Sequence, residues 1–276
     1  MPGRRDPIAV FDSGVGGLTV LHELLVSLPH EDFLYLGDTA RFPYGERSAD
    51  ELERFVVEIG GRLLAQGAKL LVIACNSATA AGMPALQRLA ATGIDVIGVV
   101  TPESQLAVEA TRNGRIGLLG TRATVASGAY ERAVRAADPN VTLLSVACPE
   151  LAPIIQNGFP FDERVVDVVR AYCAPLREAG VDSVILGCTH YPLVRPMLQR
   201  ILGRGVRLIS SGPAIAGRVE HTLALRGLLS DRDGEGEYRF ECTGDVEAFR
   251  ELGTRFLQMP LGEVRHVELT PAGAIA

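Results

Sequence analysis

Apolar residues in this chain fall into short unbroken runs, with longer stretches of helical period between them. The runs at 8–12 (IAVFD), 33–36 (FLYL), 70–74 (LLVIA), 96–100 (VIGVV), 115–119 (RIGLL), 141–146 (VTLLSV), 183–187 (SVILG) and 206–209 (VRLI) are rich in Val, Ile and Leu. Most lack the polar alternation of a half-exposed strand, so they read as parallel strands buried on both faces. Amphipathic patterns at about 18–27, 49–66, 76–91, 162–179 and 245–257 predict helices between them, and two late strands are expected at 238–242 and 264–269. Strand and helix alternate throughout, which predicts an α/β protein with parallel sheets.

Local signals sharpen the boundaries. Ser48 with Glu51 is a capping box for the second helix. Thr101-Pro102 has the form of an N-cap and first helical residue. SDRDGEGE (230–237) reads as a surface loop, and TPAGAIA (270–276) is expected to fray.

The pattern also repeats. IAVFDSGVGG (8–17) and IGLLGTRATV (116–125) each run from a strand through a Gly/hydroxyl turn into a helix. At a similar distance beyond each comes a second matched pair, LLVIACNSATA (70–80) and SVILGCTHYPL (183–193), with Cys75 and Cys188 at the predicted strand ends. Two halves of similar fold are expected. Facing each other with strand ends inward, they would set the two cysteines on either side of one cleft.

In open α/β sheets ligands bind at the carboxyl ends of strands, where helices begin. A helix dipole there is expected to draw a thiol towards thiolate. Paired thiols across a cleft suit removal of a proton from one face of a carbon and delivery to the other, which is racemisation or epimerisation. Hydroxyls and amides at strand ends, namely Ser13, Asn76, Ser77, Thr121 and Thr189, are candidates to hold a carboxylate and its developing charge. Asp12 is either a helix cap or an acid that assists a thiol. His190 could assist Cys188. TARFPYGERS (39–48) is either an ordinary loop or one folded over a pocket with Tyr44 as a wall. A rival reading, a cysteine-nucleophile hydrolase using Cys188 and His190, leaves Cys75 without a task. A dinucleotide site at Gly14 with Asp38 on the ribose fails on spacing, because Thr19 stands where the third glycine belongs.

Composition narrows the classes. A net charge of −6 argues against a nucleic-acid surface as the main function. No run approaches the ~18 apolar residues of a membrane span. The start of the chain lacks a signal-peptide pattern, and five cysteines without framework spacing fit a reducing cytoplasm. With no CxxC, a structural zinc or other metal site is not expected. Lys69, the sole lysine, is expected to face solvent, so a pyridoxal-phosphate Schiff base is not expected either. Cys173 and Cys242 read as packing, and Cys148 as the start of a helix.

Taken in order, VFDSGVGGLTV, GDTARFPYG, IACNSATA, GTRAT and LGCTHYPL resemble the bacterial glutamate racemases of the cofactor-independent aspartate/glutamate racemase family, as does the closing TGDVEAFRELGTRFL. The resemblance implies two similar parallel-sheet α/β domains facing across a cleft, 1–99 with 208–276 and 100–207. It implies Cys75 and Cys188 as acid/base residues, assisted by Asp12 and His190. Cys75 would take the proton from D-glutamate and Cys188 from L-glutamate. Substrate contacts would come from Asp12, Ser13, Tyr44, Gly45, Asn76, Ser77, Thr121, Thr189 and His190. No cofactor, a homodimer and D-glutamate supply for peptidoglycan in the cytoplasm are likewise implied. Some relatives bind DNA gyrase, and nothing in these residues tests such a contact. The chain departs from the family pattern at Ser77, where threonine is common, and at Gln156, which aligns with a glutamate in many members. Without a long N-terminal extension, a regulatory site built from one is not expected.

Overall fold

The computed structural model describes residues 2–90, 93–158 and 162–269. The expected fraying of 270–276 lies outside them. Strands β1 (Ile8–Asp12), β2 (Phe33–Gly37), β3 (Leu70–Ile73) and β4 (Asp95–Gly98) come first, followed by β5 (Arg115–Gly120), β6 (Thr142–Ala147), β7 (Ser183–Gly187) and β8 (Arg207–Ile209). Two late strands close the chain, β9 (Tyr238–Cys242) and β10 (Val264–His266). They form two sheets, ordered β10-β9-β2-β1-β3-β4 and β6-β5-β7-β8. Every pairing is parallel.

The four strands of each half run in the same spatial order, second-first-third-fourth, so the repeat seen in the sequence is a repeat of topology. Burial explains the apolar runs. Ile8, Val10 and Val72 face one hydrophobic cluster, while Ala9, Phe11, Leu71 and Ile73 face another, as alternate strand residues must. The first cluster continues into the second sheet through Leu119, Val184 and Leu186.

Helices α1 (Leu18–Ser27), α2 (Ala49–Ala65) and α3 (Asn76–Leu89) connect the early strands. Ser48 caps α2, its hydroxyl accepting from the Glu51 amide while Glu51 reaches back. A cap of this kind contributes about 0.5–2 kcal/mol. Helix α4 (Val100–Ala110) carries the chain from the first sheet to the second. It begins two residues earlier than Thr101-Pro102 predicts, with Val99 as N-cap. Val99 and Val100 are buried, and proline is tolerated in a first helical turn, so packing sets the start.

In the second half come α5 (Arg122–Ala126), α6 (Ala129–Ala137), α7 (Leu151–Gln156), α8 (Glu163–Glu178) and α9 (Arg195–Leu202). Helix α10 (Ser211–Arg226) returns the chain to the first sheet and packs on α1, and α11 (Val246–Leu257) precedes the last strand. That strand ends at His266, three residues short of expectation.

Lys69 is a further correction, since it is buried rather than solvent-facing. Its ammonium pairs with Glu31 at 2.5 Å and donates to the carbonyls of Arg4 and Leu228. Breaking such a pair costs about 3–5 kcal/mol. It stands just before β3, at the opposite end of that strand from Cys75. Cys148, Cys173 and Cys242 are buried in the first apolar cluster. Among the described residues no helix is long and apolar enough to cross a membrane.

Candidate active site

In each sheet the strand order turns back between the first and third strands, β1/β3 and β5/β7. That turning point opens a crevice at the carboxyl ends of the strands. β1 ends in Asp12, followed by Ser13, and β3 leads through Ala74 to Cys75, the N-cap of α3. In the second sheet β5 ends in Gly120, followed by Thr121, and β7 ends in Gly187, followed by Cys188.

The two crevices meet in one cavity of about 450 Å³, its open mouth included. Cys75 and Cys188 both line it, with Ser13, Tyr44, Gly45, Asn76, Ser77, Thr121, Thr189 and His190. Asp12, fully buried, lies directly behind this lining. The segment 39–48 is thus a wall rather than a free loop. It folds as two short 3₁₀ turns (Thr39–Arg41 and Tyr44–Glu46) and puts the Tyr44 ring against the cavity. The Tyr44 hydroxyl is spent on Asp38, which also takes Arg41 at 2.5 Å.

Cross-half contacts follow the repeat. Ser77, two residues after the first cysteine, bonds Thr121 at 2.8 Å. Thr189, one residue after the second, donates to Asp12 Oδ1 at 3.4 Å. Two glycines allow this approach. A Cβ on Gly16 would lie 2.4 Å from Thr189 Oγ1 and 2.5 Å from His190 Nδ1, and one on Gly45 would lie 2.7 Å from Thr121 Cβ.

The thiols have different neighbours. Cys75 Sγ lies 3.8 Å from Ser13 Oγ. Asp12 Oδ2 accepts from the amides of Gly14 at 3.1 Å and Gly17 at 3.0 Å. It therefore anchors the turn before α1, whose N-cap is Gly17 rather than Asp12. Cys188 Sγ lies 3.8 Å from His190 Nδ1. His190 Nε2 meets Gln156 Oε1 at 2.8 Å. The amide oxygen accepts there, which puts the ring proton on Nε2 and leaves Nδ1 facing the thiol as an acceptor. Phe42 packs tilted at 5.5 Å and Phe256 edges in at 5.2 Å around the imidazole.

Electrostatics corrects the expectation of thiols drawn towards thiolate. Burial, with the charge on Asp12 adding to it, pushes Cys75 up to about 12. Burial also pushes Cys188 well up, with the charge on Cys75 adding to it. Desolvation outweighs the amide at each helix start. Burial raises the Asp12 carboxyl against the pull of the Gly17 and Gly14 amides, and lowers His190 to about 3. In this state both thiols keep their protons and the imidazole is neutral.

The sequence reading passed over Phe42, Phe256, Glu103 and Tyr130, and it marked Gln156 only as a departure. The apolar residues carried no local signal. Glu103 stood beside Thr101-Pro102, where an acid in a first helical turn reads as ordinary.

The model of the Asp/Glu/hydantoin racemase family matches residues 21–219. The chain belongs to that family. Within it, a glutamate racemase of Beutenbergia cavernae is 46% identical over 275 residues, covering 96% of this chain and 94% of that one. The structure of glutamate racemase isoform RacE1 from Bacillus anthracis superposes with a TM-score of 0.92 at 39% identity, covering 96% and 98% of the two chains. The glutamate racemase of Francisella tularensis in complex with D-glutamate does so at 0.90 and 33% identity, covering 96% and 98%.

Proposed function

We propose that this protein is a glutamate racemase that moves the α-proton between Cys75 and Cys188 without a cofactor. The observation that carries the reading is the pair of thiols at equivalent strand ends of two like sheets, lining one cavity. Relatives at 39–46% identity over nearly the whole chain bear the glutamate racemase name.

Cys188 as thiolate takes the α-proton of L-glutamate while Cys75 as thiol delivers one to the opposite face, and the roles exchange for D-glutamate. Atoms balance, with one proton taken and one given, so the enzyme is left with the other thiol ionised. The charge on Cys75 raises Cys188, so with Cys75 ionised Cys188 keeps its proton, as the reaction requires. His190 Nδ1 accepts the proton that makes Cys188 a base, and Asp12 serves Cys75. Hydroxyls of Ser13, Ser77, Thr121 and Thr189 and the Gly45 backbone hold the α-carboxylate and its charge, Asn76 lines the same cavity, and Tyr44 closes one wall. A hydrolase built on Cys188 and His190 would leave Cys75, which lines the same cavity, without a task.

We also infer a division into two units, the two sheets and the crossings at α4 and α10 supporting the expected 1–99 with 208–276 and 100–207, except that β8 (Arg207–Ile209) pairs with β7 and so carries the second unit through Ile209. A cytoplasmic homodimer supplying D-glutamate for peptidoglycan completes the reading. Sedimentation of the purified chain tests the dimer. The activity is tested by α-proton exchange in D2O with L-glutamate, D-glutamate and aspartate in turn. Deuterium uptake with inversion on glutamate is expected, and its absence in folded protein refutes the assignment.

A further inference from the structure

Glu103 sits on α4, fully buried, one helix away from the cavity. Three donors converge on it. Ser211 Oγ, at the start of α10, donates to Oε1 at 2.5 Å. Tyr130 from α6 donates to Oε2, and Asn76 Nδ2, at the start of α3, reaches the same oxygen at 3.1 Å. The Asn76 amide also donates to the Tyr130 hydroxyl at 2.6 Å. The Asn76 NH2 is therefore directed at this pair, on the side away from the cavity. Its Oδ1 is buried and has no hydrogen-bond partner among the described residues, although Asn76 itself lines the cavity beside Cys75.

We propose that Glu103 is a positioning residue, which sets the Asn76 amide so that Oδ1 is presented to the α-ammonium of the amino-acid substrate. The carboxylate can only accept, so an amide beside it must point its NH2 inward and its oxygen outward. The substrate supplies three N–H donors and no acceptor at that nitrogen, and a reversed Asn76 would meet it donor to donor. The alignment costs the ligand nothing, because the protein holds it beforehand. The contact exists in ground state and transition state alike, so it governs KM rather than kcat.

This inference rests on the racemase reading, so racemisation by the unmodified full-length protein is measured first. Its absence overturns both. KM, kcat and the calorimetric Kd for L-glutamate are then compared in Glu103→Leu, Glu103→Gln, Asn76→Ala and the Glu103→Leu/Asn76→Ala double variant. Glu103→Leu is expected to raise KM and Kd by about tenfold, the scale of one lost bond to a charged group, with a much smaller change in kcat. Glu103→Gln is expected to recover most of that loss, because its oxygen can face Asn76 while its NH2 donates to Ser211. In the Asn76→Ala background, Glu103→Leu should add nothing. An unchanged KM, a glutamine variant as impaired as leucine, or additive losses in the double variant would each overturn the proposal while leaving the racemase reading standing. Should Glu103→Leu not be recovered folded, Tyr130→Phe carries the test. It keeps the ring and removes the hydroxyl that engages both Asn76 and Glu103. A KM increase of threefold or more supports the role, and an unchanged KM overturns it.

Discussion

The two halves place their cysteines alike and support them differently. Cys75 has a buried carboxyl on the neighbouring strand, fixed by the Gly14 and Gly17 amides. Cys188 has a neutral imidazole two residues on, fixed by Gln156 and enclosed by Phe42 and Phe256. At the end of β5, the counterpart of Asp12 is Gly120. In the proposed two-thiol reading, topology repeats the position of the reacting group, while its helper is provided locally and independently. The substrate α-carbon is chiral, so a base approaching one face and a base approaching the other need not share surroundings. What they must share is distance and direction, and the repeated sheet supplies both.

The largest effect should come from removing either thiol. Cys75→Ala and Cys188→Ala are each expected to lower racemisation by roughly 10²–10⁴-fold, the range for loss of an acid/base group. Circular dichroism at 204 nm would follow the loss, and α-proton exchange would separate the two variants. The remaining thiol can exchange only the enantiomer whose proton faces it, so Cys75→Ala should retain exchange on L-glutamate and Cys188→Ala on D-glutamate. Exchange of both enantiomers by either variant would mean that a group other than the thiols moves the proton.

A second perturbation acts where the halves touch. Gly16→Ala drives a methyl into Thr189 and His190. Neither neighbour has a long flexible end to move aside, so overpacking should cost roughly 1–3 kcal/mol of stability. Activity should fall with it, because Thr189 and His190 flank Cys188. Thermal unfolding and kcat/KM measured together check the prediction. A variant with full activity and an unchanged Tm would show that this contact does not set the spacing of the halves.

How much of this was legible beforehand follows from the range of each signal. Buried parallel strands announce themselves as continuous Val/Ile/Leu runs, and the cysteines stand out by recurring in matched surroundings. Capping is local too, so Ser48 and Glu51 could be read directly. Lys69 could not be placed, because Glu31 and Leu228 reach it from distant parts of the chain. The thiol ionisation was misjudged for a related reason. A helix start is visible in sequence, whereas the desolvation that outweighs it depends on what the other half covers. Gln156 and His190 lie 34 residues apart and meet only through the fold. Glu103 and Ser211 are separated by 108.

The unlike helpers can be tested separately. The two enantiomers have equal free energy in water, so kcat/KM must be the same in both directions for any variant. A damaged helper therefore cannot show as a directional rate, but it shows in isotope effects. Gln156→Leu frees the His190 ring and should raise the barrier at Cys188, with kcat/KM about tenfold lower in both directions, the scale of one lost hydrogen bond. The α-deuterium isotope effect should rise for L-glutamate, whose labelled proton Cys188 removes. It should shrink for D-glutamate, whose labelled proton leaves in the other, now faster, step. Asp12→Asn should give the mirror result. Equal isotope effects in both variants would mean that the helpers serve the pair jointly.

The smallest expected effect concerns Glu103, which belongs to neither helper set but ties α4 and α10, the two crossings between the halves, to Asn76. Burial raises its carboxyl from 4.5 to about 7 against the bonds from Ser211, Tyr130 and Asn76. A carboxyl raised on folding contributes stability that is fully present below its unfolded value and is lost as pH rises through its folded value. Glu103 therefore weakens the fold at pH 8 relative to pH 5. Glutamine has no such titration and keeps most of the hydrogen bonds. Glu103→Gln should accordingly gain stability over the unmodified protein on going from pH 5 to pH 8, a shift of roughly 2–4 °C in Tm for a net 1 kcal/mol. Differential scanning calorimetry at the two values isolates this group, since every other carboxylate is common to both proteins. A Tm difference independent of pH would mean that the carboxyl titrates near its ordinary value. The Asn76 amide would then be held by a carboxylate already ionised at pH 5, and its orientation would not change across the range in which the thiols work.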